Sequence, residues 1–271
     1  MIQGLQSGMG AISLLGNNSG VTDGMATKAP ITALVGEKPK KTKKPAPYDM
    51  AGEMVKYGKT PMVYDNNEMP TNITKRVASK MGIKPGLLFS SAWQEGMNKA
   101  AISPDDISQG YLDNAGELED YPVDGFLNYG VDTIGDRWEQ LKKYLPEGFD
   151  KQMKFYKTIN EKDEPITTAA FKTNEDALMA KAAFMKYEMD NINQYAKEKG
   201  VDLDDKAKDY FMLASYNGGF GNAQKMMDEY AKATDKSKFI DEGLTSRKGV
   251  HKNIKVRMDN VGVADKLLNE K

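Results

Sequence analysis

The run from Asn174 to Gly200 leaves the backbone little choice. Ala177, Leu178, Ala182, Met185, Met189, Ile192 and then Tyr195 or Ala196 recur every three or four positions, the period of a helix with one buried face. Asn174 followed by Glu175 and Asp176 reads as a helix start, with a side-chain acceptor for unpaired amides and then acids that suit the positive end of the macrodipole. Lys197 and Lys199 ahead of Gly200 mark the end. A helix this long needs cover along its length, so the chain is expected to be mainly α. Asp202 or Asp204 caps a next helix, "DDKAKDYFMLASYN", which stops at Gly218–Gly219, and another runs from about Asn222 to Ala233. From Phe239 the pattern is mixed, with "VADKLLNE" closing as a short helix.

The first half is less regular. Residues 1–30 are rich in Gly, Ser, Asn, Thr and Ala, with a short helix around Ile12–Leu15. "GEKPKKTKKPAP", Gly36 to Pro47, holds five lysines that repel and prolines that stiffen, so it reads as an extended linker. Residues 1–69 are therefore expected to form a flexible arm and linker, and residues 70–271 the folded domain with a C-terminal extension. Order begins with "TNITKRVASKMG", capped by Thr71 or Asn72 and stopped by Gly82. Pro85 opens a second helix, "IKPGLLFSSAWQEGMNKA". Residues 102–150 read as an aromatic loop region with short pieces of structure, including the helix "RWEQLKKYLP". "FYKTINEKDEPITTAAFKT" reads as a small hairpin turning at Lys162–Asp163.

Composition removes whole classes of chemistry. The chain of 271 residues has no cysteine, one histidine and a formal net charge of -1. Disulfides, thiolate metal sites and cysteine nucleophiles are excluded, as are two-histidine zinc hydrolases. His251 has no G-x-S-x-G partner and reads as surface or structural. No cofactor or metal is implied. A near-neutral chain has no global footprint for nucleic acid. No run is long and apolar enough for a membrane span, and the start lacks the basic residues and apolar stretch of a recognisable signal peptide.

Chemistry must then rest on carboxylates, hydroxyls, amides or lysines. Glu95 stands out in "SSAWQEGM" because no charge lies between Leu87 and Gln94. Leu88, Ser91, Ala92 and Glu95 share one helix face, which places the carboxyl on an inward face near the helix C-terminus. Apolar surroundings and the negative end of the macrodipole would both favour a proton-bearing acid there. The second feature is "LASYNGGFGNA", which brings Tyr216 and Asn217 to a helix end before two glycines. By itself it also reads as a plain cap, with Asn217 ending the helix and Gly218 in the left-handed position.

Together these segments resemble soluble lytic transglycosylases and goose-type lysozymes. "LASYNGGFGNA" is similar to their A-Y-N-x-G motif, and Glu95 in "SSAWQEG" matches the catalytic glutamate that ends an earlier helix. "DGFLNYGVDTIGD", Asp124 to Asp136, lies where the family has a Gly-Leu-Met-Gln segment. The resemblance covers roughly residues 71–235. Gly96 replaces the Ser that usually follows the glutamate, and Leu127–Asn128 replaces Met-Gln. Ser215 and Gly218 stand where alanines are common, whereas Tyr216, Asn217 and Gly219 are retained.

The resemblance implies a lysozyme-like α (α+β) fold and cleavage of the β-1,4 bond between N-acetylmuramic acid and N-acetylglucosamine. Glu95 would be the general acid and base. Tyr216 would position Glu95 or the N-acetyl group, and Asn217 would hold the local backbone. Asn128, Tyr129 and Phe126 would line the glycan. Asp120, Asp124 and Asp132 are candidates for a second carboxylate if the enzyme is a hydrolase; in the transglycosylases the sugar's C6 hydroxyl takes that place. Short, divergent members occur in bacteriophage particles, which implies a virion or the bacterial periplasm and cell wall as location. Peptidoglycan strands would be the partner, with other virion proteins at the N-terminal arm. The alternatives are a non-catalytic virion structural or cargo protein with the same fold, and a helical protein that binds nucleic acid through residues 36–47.

Overall fold

The computed structural model describes residues 49–95, 113–125, 134–159 and 163–270. Among them the chain is mainly helical, with a small three-stranded antiparallel sheet. The expected class therefore holds at that level. The readings on residues 1–48, among them the short helix and the lysine-rich linker, lie outside the described residues.

The first helices follow from their punctuation. α1, Met50–Gly58, is capped by Asp49, whose side chain accepts from the Gly52 amide at 2.9 Å. α2, Pro70–Met81, and α3, Pro85–Gln94, each carry proline at the first position, where its missing N–H costs no hydrogen bond. The cap of α2 is Met69, not Thr71 or Asn72, because Pro70 sets the helical φ one residue earlier. The expected arm over residues 1–69 is corrected from Asp49 on. Met54 and Met62 are buried in the core, and the Asp65 carboxylate accepts from the Asn174 and Glu175 amides. Apolar anchors and a long-range cap tie this segment to the body.

The sheet comprises β1, Val123–Asp124, β2, Met153–Ile159, and β3, Pro165–Phe171, in the order β1-β3-β2. β2 and β3 form the expected hairpin in register from Met153 opposite Phe171 to Ile159 opposite Pro165, and Asp163 takes φ 58° beside the turn. β1 adds Val123 opposite Phe171, a pairing too short to show as a period in sequence. α4, Ile134–Leu141, precedes the hairpin and continues as a short 3-10 turn to Tyr144, ahead of Pro146.

α5, Asn174–Glu198, is the long helix expected. Its cap is Thr173, whose hydroxyl accepts from the Asp176 amide at 3.1 Å, so Asn174 lies one residue inside. α6, Asp205–Gly218, is capped by Asp204, and α7, Phe220–Lys232, follows at once. α8, Lys236–Glu242, and α9, Lys248–Asn269, complete the chain. α9 is the main departure from the sequence reading. The segment taken as a mixed tail is one 22-residue helix that lies along α3 and also contacts α6. Ile254, Ala264, Leu267 and Leu268 join the same core as Leu87, Leu88 and Phe89. It is therefore part of the body and not an extension. Lysines, Asp259 and Asp265 break up its apolar pattern in sequence. His251 has the structural role expected, with its Nδ1 at 2.8 Å from the Tyr210 hydroxyl.

Ile254 is fully buried, so Ile254→Ala should destabilise the protein by about 2–5 kcal/mol through lost burial and the cavity left behind. Denaturant unfolding read by circular dichroism measures it; a loss under about 1 kcal/mol would mean that α9 is not part of the cooperative core.

Candidate active site

Four helices meet around Glu95. α3 ends there: the Glu95 amide bonds to the Ser91 and Ala92 carbonyls, and Leu88, Ser91 and Ala92 on the same face are buried. The side chain does not sit among apolar groups alone, as the sequence suggested. Arg257 of α9 donates from Nη2 to Glu95 Oε1 at 2.6 Å, and both side chains are largely covered, at 17% and 21% exposed. The expectation of a lone carboxyl is corrected by a partner that only long-range packing supplies.

Tyr216, near the end of α6, joins the same group. The Arg257 guanidinium carbon lies 6.0 Å from its ring centre, and Phe184 of α5 meets the ring edge-on at 5.4 Å. Its hydroxyl receives a 2.5 Å hydrogen bond from Lys181 Nζ of α5. Lys181 is fully buried, between Ala177, Leu178 and Met185 on one face of α5. Burial pulls its ammonium down to about 7, with nearby Glu95 opposing and Arg257 adding to that change. Glu95, Lys181, Tyr216 and Arg257 thus form one electrostatic cluster.

A second part-buried pair joins the same helices. Arg137 of α4 bonds to Glu188 of α5 at 2.8 Å, and Glu188 accepts a further short bond from the Ser215 hydroxyl. Arg137 also lies over the Phe184 ring at 5.2 Å. Ser215, which stands where the resembled family has alanine, is thereby explained by a buried carboxylate across from it.

The end of α6 departs from the plain cap. Gly219, not Gly218, has positive φ, at 80°. Gly218 stays within the helix, and α9 passes close to it: a Cβ there would come within 3.1 Å of Val250 Cγ1. Asn217 Nδ2 is buried without a hydrogen-bond partner among the described residues, and Asn222 Nδ2 donates to the Gly218 carbonyl at 2.6 Å. Trp93 Nε1 and Gln94 Oε1, from the two residues before Glu95, and Arg257 Nη1 are likewise buried without a partner among the described residues.

Of the remaining sequence candidates, Asp120 is exposed and Asp124 is fully buried in β1 opposite Ala170. Phe126, Asn128, Tyr129 and Asp132 lie outside the described residues, as does Gly96. Among the described residues no group of three or more His, Asp or Glu is placed to hold a metal, and no helix is long and apolar enough to cross a membrane. Lys181 and Arg257 were not singled out in sequence. Lys181 carried a usable signal: "ALMAKAAFM" isolates one charge among apolar residues, the same signature that marked Glu95. Comparison of the chain with protein-family models, curated proteins and solved structures gives no match.

Burying Lys181 has a direct consequence for stability. Its folded-state value lies below the ordinary 10.5, so the unfolded chain binds more protons between about 7 and 10.5, and stability rises with pH across that window. Lys181→Met should remove this contribution, which amounts to at most roughly 1.4 kcal/mol per pH unit. Urea unfolding of both proteins as a function of pH checks it; parallel curves would contradict it.

Proposed function

We propose that the protein is a muramidase with a lysozyme-like fold that cleaves the β-1,4 bond between N-acetylmuramic acid and N-acetylglucosamine in peptidoglycan, with Glu95 as general acid and base. The observation that carries this reading is the convergence of the ends of α3 and α6. Glu95 and Tyr216, distant in sequence, share a cluster through Arg257 and Lys181, in keeping with the resemblance of both segments to lytic transglycosylases.

Arg257 engages Oε1 of Glu95 and leaves Oε2 to handle a proton. In the proposed reaction the Glu95 carboxyl gives its proton to the glycosidic oxygen as the bond from that oxygen to the anomeric carbon breaks. Positive charge develops on the anomeric carbon and ring oxygen. The Glu95 carboxylate then takes a proton from the attacking hydroxyl. If that hydroxyl is the sugar's own C6 group, a 1,6-anhydro ring closes; if it is water, a reducing end results. Arg257 balances the negative charge left on Glu95 between the two steps. The proposed setting is a phage virion or the bacterial cell wall, with other virion proteins as partners of the N-terminal arm.

A second reading, a non-catalytic virion structural or cargo protein, draws support from the same Arg257 contact, which also suits a helix end held in place by an ion pair. Digestion of purified peptidoglycan separates the two. The wild type should release soluble glycan fragments, and Glu95→Gln should lower the rate by at least about 100-fold while leaving the circular dichroism spectrum unchanged. Mass spectrometry distinguishes anhydro from reducing ends. No release by a folded wild type would leave the structural reading.

A further inference from the structure

α9 begins against the local rules of helix chemistry. A helix N-terminus favours acids and a side-chain cap, because its first amides are unpaired and its macrodipole is positive there. α9 has Arg247 at the cap with no side-chain hydrogen bond, and no acid in its first turn. From Gly243 to Met258 the chain carries Arg247, Lys248, Lys252, Lys255 and Arg257 and no Asp or Glu, although its formal net charge is -1. Cations gathered at the end that disfavours them are a departure of the kind that marks functional surfaces.

The helix sorts these cations by face. Arg257 turns inward to Glu95, and Ile254 is buried in the core. Lys248, Lys252 and Lys255 are exposed. Their spacing of four and three residues sets them in one line on the outer side, about 6 Å and about 4.5 Å apart along the axis. Lys248 Nζ reaches a neutral acceptor, the Gly243 carbonyl, at 2.5 Å, and none of the three forms an ion pair among the described residues. Acids in this region are engaged elsewhere: Asp241 with Lys206 at 2.6 Å, and Glu229 with the Thr245 and Ser246 hydroxyls. Asp259, one turn beyond Lys255, closes the line. The field of the stripe reaches the body. Burial first, and then the charges of Lys248 and Lys255, hold His251 below its ordinary value.

We propose that the outer face of α9 is a docking surface for a linear polyanion, a phosphodiester polymer of the bacterial wall, bound through Lys248, Lys252 and Lys255. The polyanion chemistry rests on the stripe; the choice of a wall polymer rests on the peptidoglycan reading above. Glu95 meets the other side of α9 through Arg257, so the stripe lies clear of the glycan site. Other anionic partners match this face less well. A single-stranded nucleic acid is held by aromatic side chains on which its bases stack, and α9 has no Phe, Tyr or Trp. A membrane-surface helix needs an apolar face beside its charges, and Val256 is the one large apolar side chain that α9 exposes well, at 45%.

Isothermal titration of the full chain with purified poly(glycerol phosphate) tests the surface, with proton NMR of His251 read on the same samples. His251 is the only histidine, so its ring signals are unambiguous. Bound phosphates offset the charges of Lys248 and Lys255, so the His251 value should rise on binding. Wild-type affinity should fall roughly 20-fold between about 50 and 200 mM salt, as expected for three contacts to a single chain. The triple variant Lys248→Ala, Lys252→Ala, Lys255→Ala, checked for folding by circular dichroism, should bind at least about tenfold more weakly at the lower salt and lose the His251 shift. The lysines of residues 36–47 are present in both proteins, so the difference isolates α9. Equal affinity of the two proteins would overturn the surface, and release of glycan by the same wild type would show that the muramidase reading survives. Tighter binding of duplex DNA or of phosphatidylglycerol vesicles, with the same lysine dependence, would overturn the wall polymer as partner. Lysine-dependent polymer binding by a wild type that releases no glycan would support the surface and overturn the muramidase reading alone.

Discussion

The packing of α9 along α3 is the contact on which the arrangement of the site depends. It is apolar at its base, where Ile254, Ala264, Leu267 and Leu268 enter the core beside Leu87, Leu88 and Phe89. It is also close: Gly86 leaves room for Asp265, whose carboxylate would lie 1.9 Å from a Cβ at that position. That proximity fixes where Arg257 arrives. Hydrophobic burial supplies the driving force, and the ion pair with Glu95 is placed by it. Without α9, Glu95 would lose the cation that balances it, and Gly218 would lose the neighbour, Val250, that explains its lack of a side chain.

The cluster combines charges that a core normally excludes. Arg257 and Glu95 balance each other, whereas the fully buried Lys181 is desolvated and loses its proton easily. The neighbouring Arg137–Glu188–Ser215 group is different in kind, since there the buried carboxylate receives both a guanidinium and a hydroxyl. That group reads as framework, joining α4, α5 and α6. A lysine kept in an apolar setting beside a tyrosine holds its proton less tightly than one in water.

What sequence revealed followed the range of the interaction. The long α5, the proline starts of α2 and α3, the Asp204 cap and the β2–β3 hairpin all rest on signals within a few residues, and all were legible. The short strand β1 rests on pairing with a distant strand, and α9 on partners such as α3 far back in the chain; neither left a local trace strong enough to read. Glu95 and Tyr216 were visible as an isolated charge and a Tyr-Asn-x-Gly turn. Arg257 was not, because one arginine among the lysines of α9 looks like any solvated cation. The apolar environment inferred for Glu95 was right for Leu88 and Ala92 on its own helix and wrong for what the chain brings against it.

The position of α9 also sets an order of assembly. Residues 248–269 are synthesised after α3, α5 and α6, yet they cover the α3 face and carry the cation that pairs with Glu95. A nascent chain that has made α3, α5 and α6 holds Glu95, Lys181 and Tyr216 but lacks the element that closes over them. The cluster is thus incomplete until α9 has left the ribosome, and a chain broken off before α9 leaves an open apolar seam and Glu95 without its cation.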